Sequence, residues 1–336
     1  MATAAKNYGR RKSDPPTDRV EDAGLSADER RDQHEDDDGP EHRTRPRETH
    51  EEAPDPGQLP DAQRTRLVMC PPEYLSTAIK NNVFMSGEAV DVPRAMRHYR
   101  RVRNAIRAFG VDVLEIPPCE GCQDQTYVAN IGVAIDPYII LAKYKAPGRE
   151  EEVAPARRFF ENRGYECRQP PHDFEGEADL KKFQRNVYFG GYGKFTDREA
   201  LEWIEDQANV HIIPLEEVSD QLYHLDCSLF VIDESNVLLT KAGLSKASIK
   251  TIELYANIHE APAALKTTGI TNGVKIPEKK IYLSGTFYPE TKEYREAMEW
   301  LLEMWDQFGY TMIPLDTDEL DKSGADLSCT VFHLDF

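Results

Sequence analysis

The sequence predicts an α/β protein assembled from repeated ββαβ-like units rather than one open sheet. Two observations predict it. From Arg66 onward, amphipathic helical stretches alternate with short apolar strands. A helix–Gly–strand–Pro rhythm also recurs, at Phe109-Gly110…Ile116-Pro117, Asn209…Ile213-Pro214 and Phe308-Gly309…Ile313-Pro314, with a related form at Arg163-Gly164-Tyr165…Gln169-Pro170. A doubly wound sheet is the competing architecture, but the Gly-rich phosphate loop expected after its first strand is missing.

The elements follow in order. Arg66–Cys70 reads as a strand stopped by Pro71-Pro72. Val92–Phe109 reads as a helix, with Ala95, Tyr99, Val102, Ile106 and Phe109 at helical spacing and Gly110 as its stop. Strands are expected at Val113–Ile116, around Tyr127–Ile135 and at Tyr138–Ala142. A helix over about Glu152–Arg163 comes next, then strand material at Val187–Gly190. Glu199–Asn209 is helical and leads into Val210–Ile213. Strands Leu229–Ile232 and Val237–Leu239 flank the turn Asp233–Asn236. Lys246–Ile258 is expected as a helix, Lys280–Leu283 as a strand, Thr291–Phe308 as a long helix and Tyr310–Pro314 as a strand. A final strand is placed near Cys329–Leu334.

The first 64 residues differ. After Met1 their only large apolar residues are Tyr8, Val20, Leu25 and Leu59, among runs such as Glu35–Asp38. Such a segment cannot bury enough apolar surface to offset its ordering entropy, so residues 1–64 are expected to be a disordered acidic extension and 65–336 the catalytic domain. The whole chain is 40% hydrophobic, enough for a core, and carries a formal charge of −19. That charge argues against nucleic-acid binding, because polyphosphate would be repelled. No apolar run approaches the length of a membrane span, and no secretory signal is expected. Six cysteines in a chain of this length suggest reduced thiols and a cytoplasmic protein, with homo-oligomers left open.

Cysteine is the most nucleophilic side chain at neutral pH. Cys329 follows the small-residue loop Ser323–Ser328, where a thiol could meet substrate. Cys70, Cys167 and Cys227 lie in or beside apolar strands and read as small buried hydrophobes. Cys119 and Cys122 have CxxC spacing, but no second pair or histidine set with zinc-ligand spacing accompanies them. In Leu222–Cys227, an extended chain would put His224 and Asp226 on one face, a pair suited to donating a proton to a leaving amine; as a lone feature, a surface pair is the plainer reading. Phe174-Glu175-Gly176-Glu177-Ala178-Asp179 gathers carboxylates around a turn glycine, and Asp124 and Asn130 share a parity in Gln123–Asn130. A guanidinium, planar and always charged, is best held by such carboxylates; a solvated turn is the plainer reading of each cluster alone.

In this order, the pieces resemble the guanidine-modifying superfamily, or penteins, which includes arginine deiminases, dimethylarginine dimethylaminohydrolases, amidinotransferases and arginine dihydrolases. The likeness covers about residues 66–336. It rests on Val68-Met69-Cys70-Pro71-Pro72-Glu73-Tyr74 with Asn82-Val83-Phe84-Met85 following, on Asp124–Asn130 as the "D-x-x-F-x-x-D/N" segment, on Phe174–Asp179 as "F-E-G-x-G-D", on His224-Leu225-Asp226 as "H-x-D", and on the C-terminal Cys329. The resemblance implies a five-fold pseudosymmetric α/β propeller of ββαβ units. It also implies attack by Cys329 on a guanidinium carbon, proton transfer by His224, and guanidinium binding by Glu175, with Asp226 orienting His224 or holding substrate. Asp124, Asn130, Asp179, Asn82, Arg149 and Lys194 are the further substrate-binding candidates, and no metal or organic cofactor is implied.

Two departures matter. Asn130 replaces the second guanidinium-binding aspartate of deiminases and resembles the dihydrolases, which release two ammonia and carbon dioxide. In Gly191-Tyr192-Gly193-Lys194-Phe195, Phe195 stands where relatives usually place an arginine for the substrate carboxylate. Either Lys194 substitutes or that carboxylate is absent, while Arg149 matches the other carboxylate-binding arginine. Ala178 and Ala325 replace glycines usual at their places. The rival readings are single-step hydrolysis, amidino transfer, a silent binding module, and a ribosome-associated initiation factor that the acidic charge disfavours.

Overall fold

The structure is a computed structural model and describes residues 65–85, 87–262, 265, 269–285 and 292–334. The extension over residues 1–64 lies outside the described residues.

The chain begins with β1 (Arg66–Met69), crosses through α1 (Val92–Ala108) and returns as β2 (Asp112–Glu115), parallel to β1. Four ββαβ units follow. They are β3 (Gly132–Ile135), β4 (Tyr138–Leu141), α2 (Val153–Glu161) and β5 (Glu166–Arg168); then β6 (Leu180–Gln184), β7 (Val187–Tyr192), α3 (Arg198–Ala208) and β8 (His211–Glu216). Next come β9 (Leu229–Asp233), β10 (Asn236–Leu239), α4 (Lys246–Ile252) and β11 (Asn257–Glu260); then β12 (Val274–Ile276), β13 (Ile281–Ser284), α5 (Lys292–Gln307) and β14 (Thr311–Pro314). After the short α6 (Asp318–Asp321), β15 (Phe332–His333) pairs antiparallel with β1 and completes the first unit from the far end of the sequence. Each of the five three-stranded sheets therefore has one plan: an antiparallel leading strand, a middle strand, and a third strand parallel to the middle one across a helix.

The middle strands explain the ring. Their side chains alternate, and both faces are buried, as their near-continuous apolar runs require. Leu67 and Met69 pack toward the β12–β14 sheet, whereas Val68 and Cys70 pack toward β3–β5. Ile139 and Leu141 share that second interface, and Ile140 turns to the next one, with Leu180 and Tyr188. Phe189 and Tyr282 continue the alternation into the remaining two interfaces. Five sheet-to-sheet layers thus replace a single core.

The prolines of the helix–Gly–strand–Pro rhythm sit in or just after the third strands, which are sheet edges where a missing N–H is tolerated. Pro214 does not end β8 as expected; the strand runs through it to Glu216, with Pro214 opposite Gly190. α1 starts at Asp91, whose side chain accepts from the Arg94 N–H at 2.9 Å, and buries Ala95, Tyr99, Val102 and Ile106.

Three further expectations are corrected. The segment Tyr127–Ile135 is not one strand: Val128–Ile131 is a 3-10 turn and only Gly132–Ile135 pairs. The helix expected to Ile258 ends at Ile252, because the fourth unit needs β11 as its parallel third strand. Cys329 lies in a 3-10 turn, Leu327–Thr330, before the short β15. β6 and β12 were not anticipated, since their alternating or Lys-containing sequences lack an apolar run. Among the described residues, no helix is long and apolar enough to cross a membrane.

Candidate active site

Each leading strand is preceded by a tight turn, and the candidate site residues lie on these turns. Asn130 lies in the turn before β3, Glu175 and Asp179 bracket the turn before β6, and His224 and Asp226 belong to the turn before β9. Asn272 precedes β12, and Cys329 precedes β15. Gly176 makes the β6 turn possible. It has φ of +68°, and a Cβ there would lie 2.4 Å from the Ala129 carbonyl oxygen and 2.7 Å from the Gly132 nitrogen.

A cavity of about 40 Å³ lies among these turns, with walls that include Asn82, Asp124, Asn130, Arg149, Glu175, His224 and Cys329. The cavity is roughly the size of three waters. His224 Nδ1 lies 2.9 Å from Asp179 Oδ1, and its Nε2 lies 3.3 Å from Glu175 Oε2 and 3.3 Å from Asn130 Nδ2. Burial alone would lower the His224 pKa, but the two carboxylates outweigh it and hold the imidazole well above its ordinary value. His224 is therefore an imidazolium at neutral pH. Phe195 covers one side of its ring, with centroids 5.1 Å apart, and Tyr223 lies 5.0 Å away.

Glu175 is fixed by the Ala146 N–H, which donates to Oε1 at 3.2 Å. Asp124 is buried; its Oδ2 accepts from Asn81 Nδ2 at 2.6 Å and Gln123 Nε2 at 3.0 Å, while its Oδ1 has no hydrogen-bond partner among the described residues. A buried carboxylate oxygen left open beside a cavity suits a cationic guest. The Cys329 thiol is pushed up to about 12 by burial and by Asp226, whose Oδ2 lies 3.8 Å from Sγ, although the Asn272 amide at 3.4 Å acts in the opposite direction. Cys329 is therefore a neutral thiol at neutral pH.

No family model matches the chain. It is 25% identical over 272 residues to Uncharacterized protein ZK1307.1 of Caenorhabditis elegans, covering 80% of this chain and 93% of that one. It is 29% identical over 184 residues to the N(G),N(G)-dimethylarginine dimethylaminohydrolase of Mycobacterium tuberculosis, 54% of this chain and 61% of that one. Among solved structures, the N-terminal domain of ArgZ, an arginine dihydrolase of cyanobacteria, superposes with a TM-score of 0.74 at 18% identity, covering 81% of this chain and 98% of that one. The chain has the pentein fold.

Within the pentein frame, Cys329, His224, Glu175, Asp124, Asn130, Asn82 and Arg149 line one cavity. Asp179 lies behind His224, not in the cavity wall. The expected His224–Asp226 pairing is not formed, because Leu225–Cys227 is a 3-10 turn instead of an extended strand. Asp226 faces the turn that carries Cys329, accepting from Ser328 Oγ at 3.1 Å, and Asp179 orients His224. Lys194 is not among the cavity walls; its Nζ pairs with Asp220 at 3.2 Å and sits 5.6 Å from the Phe195 ring. Arg149 is buried, with Nε and Nη2 bonded to Glu152 and Nη2 also to the carbonyls of Asp124 and Tyr127.

Sequence reasoning missed Asn81, Tyr127, Tyr223 and Asn272. Asn272 was discoverable, because it occupies in the β12 unit the pre-strand place that Asn130 and Cys329 occupy in theirs. Tyr223 and Asn82 tether the loop that leads to Cys329, donating to the carbonyls of Gly324 at 2.6 Å and Ser323 at 2.8 Å; nothing in their local sequence signals that long-range contact. The six cysteines are free thiols.

Proposed function

We propose that this chain hydrolyses the guanidino group of arginine or a related compound through a covalent thiouronium on Cys329. One observation carries the reading: a thiol, an imidazolium and two buried carboxylates, one with an open oxygen, face a single small cavity.

The chemistry follows from those groups. A guanidinium entering between Asp124 and Glu175 brings a positive charge beside Sγ, which lowers the thiol's pKa so that its proton leaves to solvent. The Cys329 thiolate adds to the guanidinium carbon, and the C–N bond to the departing amine breaks as His224 delivers its proton to that nitrogen. The resulting thiouronium is attacked by a water whose proton passes to His224. Collapse breaks the C–S bond and regenerates the thiolate. Asp179 keeps Nδ1 occupied, so the transferable proton is on Nε2. No step needs a metal or an organic cofactor.

Asn130 favours a dihydrolase course. A neutral amide holds the far nitrogens less firmly than a carboxylate, so the ureido intermediate can turn and be attacked again, giving an ornithine-type product, carbon dioxide and two ammonia. The dimethylarginine dimethylaminohydrolase relative supports single-step hydrolysis as the second reading. A panel of guanidines with ammonia, urea and citrulline readouts tests both, with Cys329→Ala as control. Two ammonia per turnover without citrulline supports double hydrolysis. One amine per turnover supports the single step, and a panel with no activity above the control overturns the proposal.

A further inference from the structure

We infer that the cavity enclosed by the five leading strands binds an oligophosphate group, carried by a nucleotide or by inorganic polyphosphate. The inference does not depend on the guanidine chemistry proposed above.

The place comes first. A second cavity, of about 540 Å³, takes residues from every sheet: Val133 from β3, Lys182 from β6, Phe230 from β9, Lys275 from β12 and His333 from β15. Those strands lead their sheets, so the cavity lies on the axis of the ring. It shares turns but no residues with the cavity that holds Cys329. Glu177 and Ser328 line the axial cavity, whereas Glu175 and Cys329 line the other. Its volume falls in the range of small-molecule sites, about 300–1,000 Å³.

Charge decides the guest. Lys181, Lys182, Arg185 and Lys275 give this wall four cationic side chains, in a chain whose formal charge is −19. Lys275 is half-buried. Its Nζ donates to the carbonyls of Val231 at 3.1 Å and Ile232 at 2.8 Å, and lies 6.0 Å from the centroid of the Phe230 ring. Among the described residues, no carboxylate lies within ion-pair distance of Lys275, Lys181 or Arg185. The acids of the wall are engaged or exposed. Glu177 accepts from His333 N and Nδ1, each at 2.8 Å, and Asp233 Oδ1 accepts from Ser235 N at 2.9 Å and Asn236 Nδ2 at 2.8 Å, while Glu234 is exposed. An ammonium carries three donors, so Lys275 keeps one for a guest. Cations gathered in a concave wall without counter-ions concentrate positive potential, and lysine ammoniums bind phosphate as point charges. The repulsion of polyphosphate by the chain as a whole is reversed here.

Lys275 also registers the guest's arrival. Burial lowers it to about 8, with Lys280 acting the same way and Asp233 against it. Burial and Arg185 lower Lys182 as well. A phosphate beside these ammoniums favours their charged forms, so binding near pH 8 takes up a proton that binding at pH 6 does not.

Isothermal titration of the full-length chain with ATP, tripolyphosphate and adenosine, in magnesium-free buffers of different ionisation heat, tests this. ATP or tripolyphosphate is expected to bind with proton uptake at pH 8 and without it at pH 6, and adenosine is expected not to bind. Tighter binding of ATP than of tripolyphosphate assigns the nucleotide source; equal or tighter binding of tripolyphosphate assigns the inorganic one. Lys275→Met should weaken binding about tenfold or more, the scale of losing one enclosed charge contact. Lys181→Met combined with Arg185→Met should weaken it in the same direction, and decides the matter if Lys275→Met does not fold. No heat with either phosphate, binding at pH 8 without proton uptake, adenosine bound as tightly as ATP, or affinities unchanged in the variants overturns the inference.

Discussion

At the scale of single residues, His224 and Cys329 are tuned in complementary ways. His224 holds its proton because Asp179 and Glu175 outweigh its burial, and Cys329 holds its own because burial and Asp226 oppose the thiolate. Asp179→Asn keeps the shape but removes the charge that fixes the tautomer, so kcat should fall by about 10³- to 10⁴-fold, with the pH profile moving to lower pH. Steady-state rates across pH check this, and an unchanged profile would show that Asp179 does not set the proton on His224. The thiol also makes a stability statement. Its folded pKa of about 12 lies above the ordinary 9.0, so the folded state binds a proton that the unfolded state loses. That stabilisation is complete below about pH 9 and disappears as pH rises toward the folded value. Urea unfolding on the alkaline side should therefore show a shallower loss for Cys329→Ala than for the wild type. For His224, also raised, the contribution is present below the ordinary imidazole value and is lost as pH rises through the folded one.

At the scale of elements, the turns before the leading strands matter more than the strands. Gly176→Ala would place a methyl group against the backbone of Ala129 and Gly132 and impose a left-handed φ on alanine. More than about 3 kcal/mol of stability should be lost, because neither neighbour is a side chain that can move aside. Chemical denaturation measures it, and a cost below about 1 kcal/mol would contradict the close turn-to-turn packing. Asp91→Ala at the start of α1 should cost about 1 kcal/mol by the same measurement. These elements also show what could be read in advance. The helices, the middle strands and the Gly and Pro punctuation were legible because amphipathic spacing and fully buried strands leave strong patterns. The Lys181-Lys182 content of β6 hid a strand whose pairing comes from its neighbour. The helical propensity of Lys246–Ile258 carried the expectation past Ile252, where tertiary pairing with β10 wins. The residue types that line the cavity were legible in order, but the partner of His224 was not. Choosing Asp179 over Asp226 depends on whether Leu225–Cys227 is extended, a conformation that local sequence does not decide.

At the scale of the whole molecule, the ring is closed by β15 on β1, and Phe332 is the apolar part of that closure. Its side chain is fully buried, 5.1 Å from Phe160 across the interface with the second unit. Phe332→Ala should cost about 3–5 kcal/mol, read from thermal or urea unfolding, since it leaves a cavity where two sheets meet. The same closure positions the turn that carries Cys329. Because the turns at Asn130, Glu175, His224, Asn272 and Cys329 come before strands of five different sheets, only the closed ring brings them together. Turnover in a urea titration should then fade at the same midpoint as intrinsic fluorescence, and at the same steepness. A purified sample's specific activity thus becomes a count of intact rings, and a rate lost before the spectrum changes would reveal a molecule that opens one seam at a time.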